Sequence, residues 1–159
     1  MEFSPKVYRI CKTRYAEDLK GVGAYHVGGR WNSPGKYMLY TSTSISLSML
    51  EILAHVTPNT WPEDMSLVKI NIPTTSIKIL KPEDLEPEWR RLPVSYYAQK
   101  IGDDWIQSLE TLILAVPSVI NTEEYNYLIN PAHPLFEKVN IEEAIPWSFD
   151  PRLSKVAEN

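Results

Sequence analysis

At 159 residues, 43% hydrophobic and 23% charged, the chain has the composition of an ordinary globular protein and the length of one domain with a real core. A net charge of −4 and a pI near 5.4 argue against a phosphate-tracking surface, so no direct nucleic-acid binding is expected, although single arginines can still hold one anion. The lone cysteine, Cys11, rules out an intramolecular disulfide. No run approaches the ~20 apolar residues of a membrane span and no leader pattern opens the chain, so a cytoplasmic protein without membrane attachment is expected.

In chain order, residues 6–10 (KVYRI) read as a first strand, with Val7 and Arg9 on one face and Tyr8 and Ile10 on the other. Residues 11–29 read as irregular, broken by Gly21, Gly23, Gly28 and Gly29. Residues 30–32 make a short second strand ahead of an Asn32-Ser33-Pro34-Gly35 turn. Residues 37–41 form a strand that Ser42, Thr43 or Ser44 hands over to a helix as N-cap.

That helix, residues 45–56, is apolar around most of its circumference. Its polar positions, Ser44, Ser48, Glu51 and His55, fall in one narrow sector. Such a stripe faces a cleft, a satisfied internal network or a thin strip of solvent. Further strands are expected at residues 67–72 and 76–80, then a charged, proline-bearing connection at 81–93 and a helix over 95–108. The continuous apolar run 112–116 has the character of a central strand. Residues 125–129, 136–141 and 145–149 complete the strands, and a frayed tail follows. Many short strands and two main helices define an α+β fold with a mixed or antiparallel core.

Several chemistries have no support. His26, His55 and His133 lie far apart without metal-ligand spacing, so no metal is expected. No glycine-rich nucleotide loop occurs, and Ser118 sits in no nucleophile elbow. Arginines, aromatics and one carboxylate remain. Arginine grips phosphate through a planar fork, tyrosine offers a flat face to a heteroaromatic ring, and a carboxylate beside a sugar stabilises an oxocarbenium-like transition state. Together these are what cleavage of an N-glycosidic bond in a dinucleotide requires.

The blocks Tyr8-Arg9-Ile10, Gly28-Gly29-Arg30-Trp31-Asn32, Leu39-Tyr40-Thr41-Ser42, Leu50-Glu51, Val116-Pro117-Ser118 and Asn126-Tyr127-Leu128-Ile129-Asn130-Pro131 resemble, in order, those of the RES-domain family. That family is named for an arginine, a glutamate and a serine and is known for toxins of bacterial Xre–RES toxin–antitoxin pairs. The resemblance covers about residues 7–150 of one domain spanning 1–159, with 151–159 as a tail. It implies a fold like that of the diphtheria-toxin-type ADP-ribosyltransferases. It also implies an enzyme that consumes NAD+ as substrate, without a separate cofactor, by splitting off nicotinamide with water or phosphate as acceptor. Protein ADP-ribosylation and a non-catalytic nucleotide-binding domain are the alternatives.

Carried over residue by residue, Arg30, Glu51 and Ser118 are the eponymous three, Arg9 grips NAD+ from the first strand, and Tyr40 stacks near nicotinamide. Ser118 and Asn130 orient the substrate. The implied partner is an Xre-like antitoxin that covers the active site and itself binds DNA. Each residue also has a plainer reading: Arg9 and Arg30 as partners of surface carboxylates, Tyr40 as core, Ser118 as a turn cap, and Asn126 and Asn130 as Asx-turn residues.

Overall fold

The computed structural model describes residues 3–154. Its strands are β1 (Lys6–Lys12), β2 (Leu39–Ser42), β3 (Met65–Asn71), β4 (Ile77–Ile79), β5 (Ile113–Pro117), β6 (Tyr125–Ile129) and β7 (Asn140–Trp147). Its helices are α1 (Val22–Val27), α2 (Ile45–Leu53) and α3 (Tyr96–Ser108). The strands form one mixed sheet ordered β4-β5-β6-β2-β1-β3-β7, in which β4 and β5 are parallel and the other neighbours antiparallel. The expected α+β class holds.

Pairing is uneven across the sheet. β1 runs beside β3 from Lys6↔Asn71 to Lys12↔Met65, yet it meets β2 at the single pair Tyr8↔Ser42. The sheet is therefore two zipped halves joined at one point. One face is a continuous core that includes Val7, Leu39, Val68, Ile70, Ile113, Ala115 and Ile129. The other face carries two separate clusters. Leu114, Val116 and Leu128 pack under Ala98 and Trp105 of α3 with Trp31 and Trp89, while Ile10, Met65 and Leu67 pack under Leu53 of α2 with Phe149. The gap between those clusters lies over the β1–β2 seam.

The segment before β2 is held to α3 by contacts that need small or polar residues. A Cβ on Gly102 would lie 1.7 Å from the Trp31 carbonyl oxygen, so only glycine lets the helix approach this closely. Asp103 accepts from the Ser33 N–H (3.0 Å) and hydroxyl (2.6 Å), and the Gln99 amide donates to the carbonyls of Gly29 and Asn32.

Three expectations are corrected. Residues 22–27, read as irregular, form α1: Asp18 accepts the Val22 N–H at 2.9 Å and Gly21 takes φ 78°, a start signal that the neighbouring glycines hide. Residues 30–32 are not a strand; a single bridge joins Gly29 to Asn32. The two late strands are one, β7, preceded by a 3₁₀ turn over Pro134–Lys138. Pro146 is tolerated inside β7 because that strand is a sheet edge.

Candidate active site

A cleft of about 740 Å³ opens over the seam, well within the range of small-molecule sites. Its walls include Arg9 from β1, Gly29 and Arg30 from the loop before β2, Tyr40 from β2, Glu51 and His55 from α2, and Asn126 from β6. The polar stripe of α2 divides between two of its expected uses. Ser44 accepts the Leu47 N–H as N-cap and Ser48 donates to the Tyr8 carbonyl, an internal network; Glu51 and His55 face the cleft. Leu50 on the same helix is 43% exposed, so α2 is less buried than its sequence suggests.

Glu51 is gripped at one oxygen. Its Oε1 accepts from the Ser118 hydroxyl at 2.8 Å and from the Asn126 amide at 2.7 Å. Ser118, 1% exposed, accepts in turn from the N–H groups of Ile120 and Asn121. Ser118 thus enters the site at one remove: it touches the glutamate and is not among the residues that line the cleft.

Arg30 lies in the same cleft as Glu51. Its Nη1 donates to the carbonyls of Trp89 (2.8 Å) and Arg91 (3.0 Å), which steers the guanidinium without neutralising it. Burial draws the Arg30 pKa below its ordinary value, and the charge of Glu51 opposes that shift. Arg9 is arranged likewise, with Nη1 donating to the carbonyls of Asp18 (2.6 Å) and Tyr15 (3.2 Å). Neither arginine pairs with a carboxylate among the described residues. Both keep their charge and further N–H donors for an anion.

Tyr40 is fixed from both sides: its hydroxyl donates to Asn32 Oδ1 at 2.7 Å and accepts the Trp31 N–H at 3.1 Å. Burial pushes its pKa well above the ordinary value of 10.0. With the hydroxyl committed, the ring is what Tyr40 offers a ligand. The GGRWN block now has a physical account. Gly28 takes φ 74°, Gly29 leaves room for the Tyr40 hydroxyl, Trp31 anchors beneath α3, and Asn32, fully buried, ties the loop to the carbonyls of Ala24, Ser33 and Lys36.

Asn130 is not brought to the cleft. Its amide donates to the Ile106 carbonyl, its Oδ1 accepts the Ala132 N–H, and it is 1% exposed. The Asx-turn reading describes it. Asn126, part of a matched block but with only a turn as its own plainer reading, stands directly opposite Ser42 in the β2–β6 register and reaches Glu51. The available signal was an amide at the second position of an otherwise apolar strand, YNYLI.

Two arginines and a clamped carboxylate, set in a cleft over the seam of an α+β sheet, bring donors able to hold an anion beside an acceptor able to hold hydroxyls or a cation. The chain belongs to the RES-domain family, whose model matches residues 6–151. It is 37% identical over 149 residues to "Toxin Res" of Yersinia enterocolitica, covering 92% of this chain and 98% of that one. It is also 37% identical over 149 residues to "Prs ADP-ribosylating toxin" of a Sphingobium strain, covering 92% of each. Among solved structures, the fold matches the crystal structure of the Mycobacterium tuberculosis MbcT-MbcA toxin-antitoxin complex, with a TM-score of 0.76 at 17% identity over 99% of this chain and 90% of that one.

Proposed function

We propose that this chain is a toxin-type enzyme that consumes NAD+ by cleaving the bond between nicotinamide and ribose. The observation that carries the reading is the meeting of Arg30 and Glu51 in one cleft, the carboxylate held by Ser118 and Asn126. Arg9 and Arg30 neutralise the pyrophosphate, and their carbonyl contacts hold them ready before substrate arrives. The ring of Tyr40 packs against nicotinamide. Glu51 accepts from the ribose hydroxyls and stabilises positive charge as the C–N bond lengthens. Nicotinamide departs neutral from a cation, so the step needs no strong general acid.

Two likenesses support the reading without carrying it. One relative is named for ADP-ribosylation, a transfer that uses the same bond of NAD+. The structural neighbour is a toxin held by an antitoxin, which fits an antitoxin, Xre-like by family resemblance, that covers this cleft in the cytoplasm. Protein ADP-ribosylation is the second reading, favoured by an exposed apolar rim: Val27, Leu92 and Ile120 line the mouth at 80%, 74% and 42% exposure and suit a protein surface.

The test is incubation of the purified chain with NAD+, with and without phosphate, followed by chromatography and mass spectrometry. Free nicotinamide with ADP-ribose identifies water as acceptor, and phosphorylated ADP-ribose identifies phosphate. Label from NAD+ on a discrete band in a cell extract identifies a protein target. NAD+ left intact in all three arms refutes the enzyme and leaves a binding module.

A further inference from the structure

We propose that Asn126, set by Ser42, is a positioning residue that aims Glu51; the role rests on the NAD+-consuming reading above. A glutamate carboxylate has no rotamer that fixes its plane, because its last torsion is broad. Here the plane is set from outside. Oε1 receives two hydrogens, and among the described residues no donor reaches Oε2, which is left for a ligand in the cleft.

The polarity of both donors is determined. Ser118 Oγ already accepts two backbone N–H groups, so its own hydrogen goes to Glu51. Asn126 could point either end of its amide at the carboxylate, and Glu51, which only accepts, takes the Nδ2 end. The Ser42 hydroxyl then donates to the remaining Oδ1 at 2.7 Å and holds the amide in that orientation. With the amide reversed, two oxygens without a hydrogen between them would face each other at 2.7 Å.

The relay is anchored in the sheet. Ser42 lies opposite Asn126 in the β2–β6 register, and it is also the one residue of β2 that pairs with Tyr8 of β1. The point joining the two halves of the sheet is therefore the point from which the carboxylate is aimed. Ser42, 5% exposed, lines the cleft beside Asn126 and Glu51, and its hydroxyl is committed to Asn126 Oδ1.

The experiment compares wild type, Asn126→Ala and Ser42→Ala in nicotinamide release, each checked for an unchanged melting profile. Asn126→Ala is expected to lower kcat roughly 10–100-fold with KM for NAD+ within about threefold, and Ser42→Ala to do the same more weakly. In a Glu51→Gln background, Asn126→Ala should cost much less than it does alone, because the charge it aims is gone. A readout independent of turnover is the side-chain amide resonance of Asn126, expected to shift in Glu51→Ala and again in Ser42→Ala. If Asn126→Ala keeps kcat, or raises only KM, or if the amide signal ignores Glu51→Ala, the positioning role is overturned. A wild type that leaves NAD+ intact overturns the functional reading instead, and the amide signal then decides whether the clamp exists.

Discussion

Substituting Gly29 by alanine tests the account of the site loop more sharply than removing any polar group. The added Cβ would sit 2.7 Å from the Tyr40 hydroxyl oxygen, 3.0 Å from Tyr40 Cζ and 3.1 Å from Asn32 Oδ1. Tyr40 must then withdraw, and two hydrogen bonds go with it: hydroxyl to Asn32 Oδ1, and Trp31 N–H to hydroxyl. Each is worth about 1 kcal/mol net and up to about 3 when a buried partner is stranded, so the loss is about 2–4 kcal/mol. For a domain of this size that lowers Tm by roughly 5–15 °C. Gly23→Ala is the internal control. It lies in α1 with nothing within 4 Å of its Cβ, and alanine there should gain about 0.5–1 kcal/mol. Urea and thermal melts of Gly29→Ala, Tyr40→Phe and the double variant complete a cycle. The double variant should be less destabilised than the two singles summed, since Phe removes the atom that clashes. If Gly29→Ala falls within about 0.5 kcal/mol of wild type, or the cycle is additive, the packing account is wrong.

Glu51→Gln keeps an Oε1 acceptor for Ser118 and Asn126 and removes the charge, so stability should change by about 1 kcal/mol or less while nicotinamide release drops roughly 10²–10³-fold. Loss of the fold, or activity within a few-fold of wild type, would contradict this. Arg30→Ala frees the Trp89 and Arg91 carbonyls, costing about 1–2 kcal/mol given partial exposure, and should raise KM for NAD+ at least tenfold. Arg30→Lys should keep the charge and still raise KM, because an ammonium lacks the fork; equal KM values for wild type and Lys would argue against phosphate recognition. Tyr40 supplies a pH signature. Its folded pKa lies above its unfolded one, so its contribution is fully present below about pH 10 and erodes as pH rises further, when only the unfolded chain gives up the proton. Melts at rising alkaline pH should show a shallower decline in Tyr40→Phe than in wild type; parallel curves would refute the burial argument.

Patterns set by nearest neighbours were legible before the structure. The period-two alternation of KVYRI, the apolar run that became β5 and the polar stripe of α2 each report a local geometry, and each formed within a few residues of expectation. Where local signals conflicted, reading failed: glycines hid α1, and the polar Glu142-Glu143 pair split β7 into two expected strands. The site followed the same division. Motif blocks pointed to Arg9, Arg30, Tyr40 and Glu51, which now share a cleft, to Ser118, which stands behind Glu51, and to Asn130, whose side-chain amide is consumed by the Ile106 and Ala132 backbone.

By itself, then, the sequence determined the α+β class, the helix that presents Glu51, and the residue types able to grip an anion beside a sugar. These depend on periodicity and on side-chain chemistry, both carried by short stretches of chain. Only the tertiary structure decided that Glu51 is aimed by residues 67 and 75 positions away, and that Asn126 rather than Asn130 is the amide that reaches it. That choice was made by the register of β6 against β2 and by the single pair joining β2 to β1. Strand register is set by packing across the whole sheet, so no local stretch contains it.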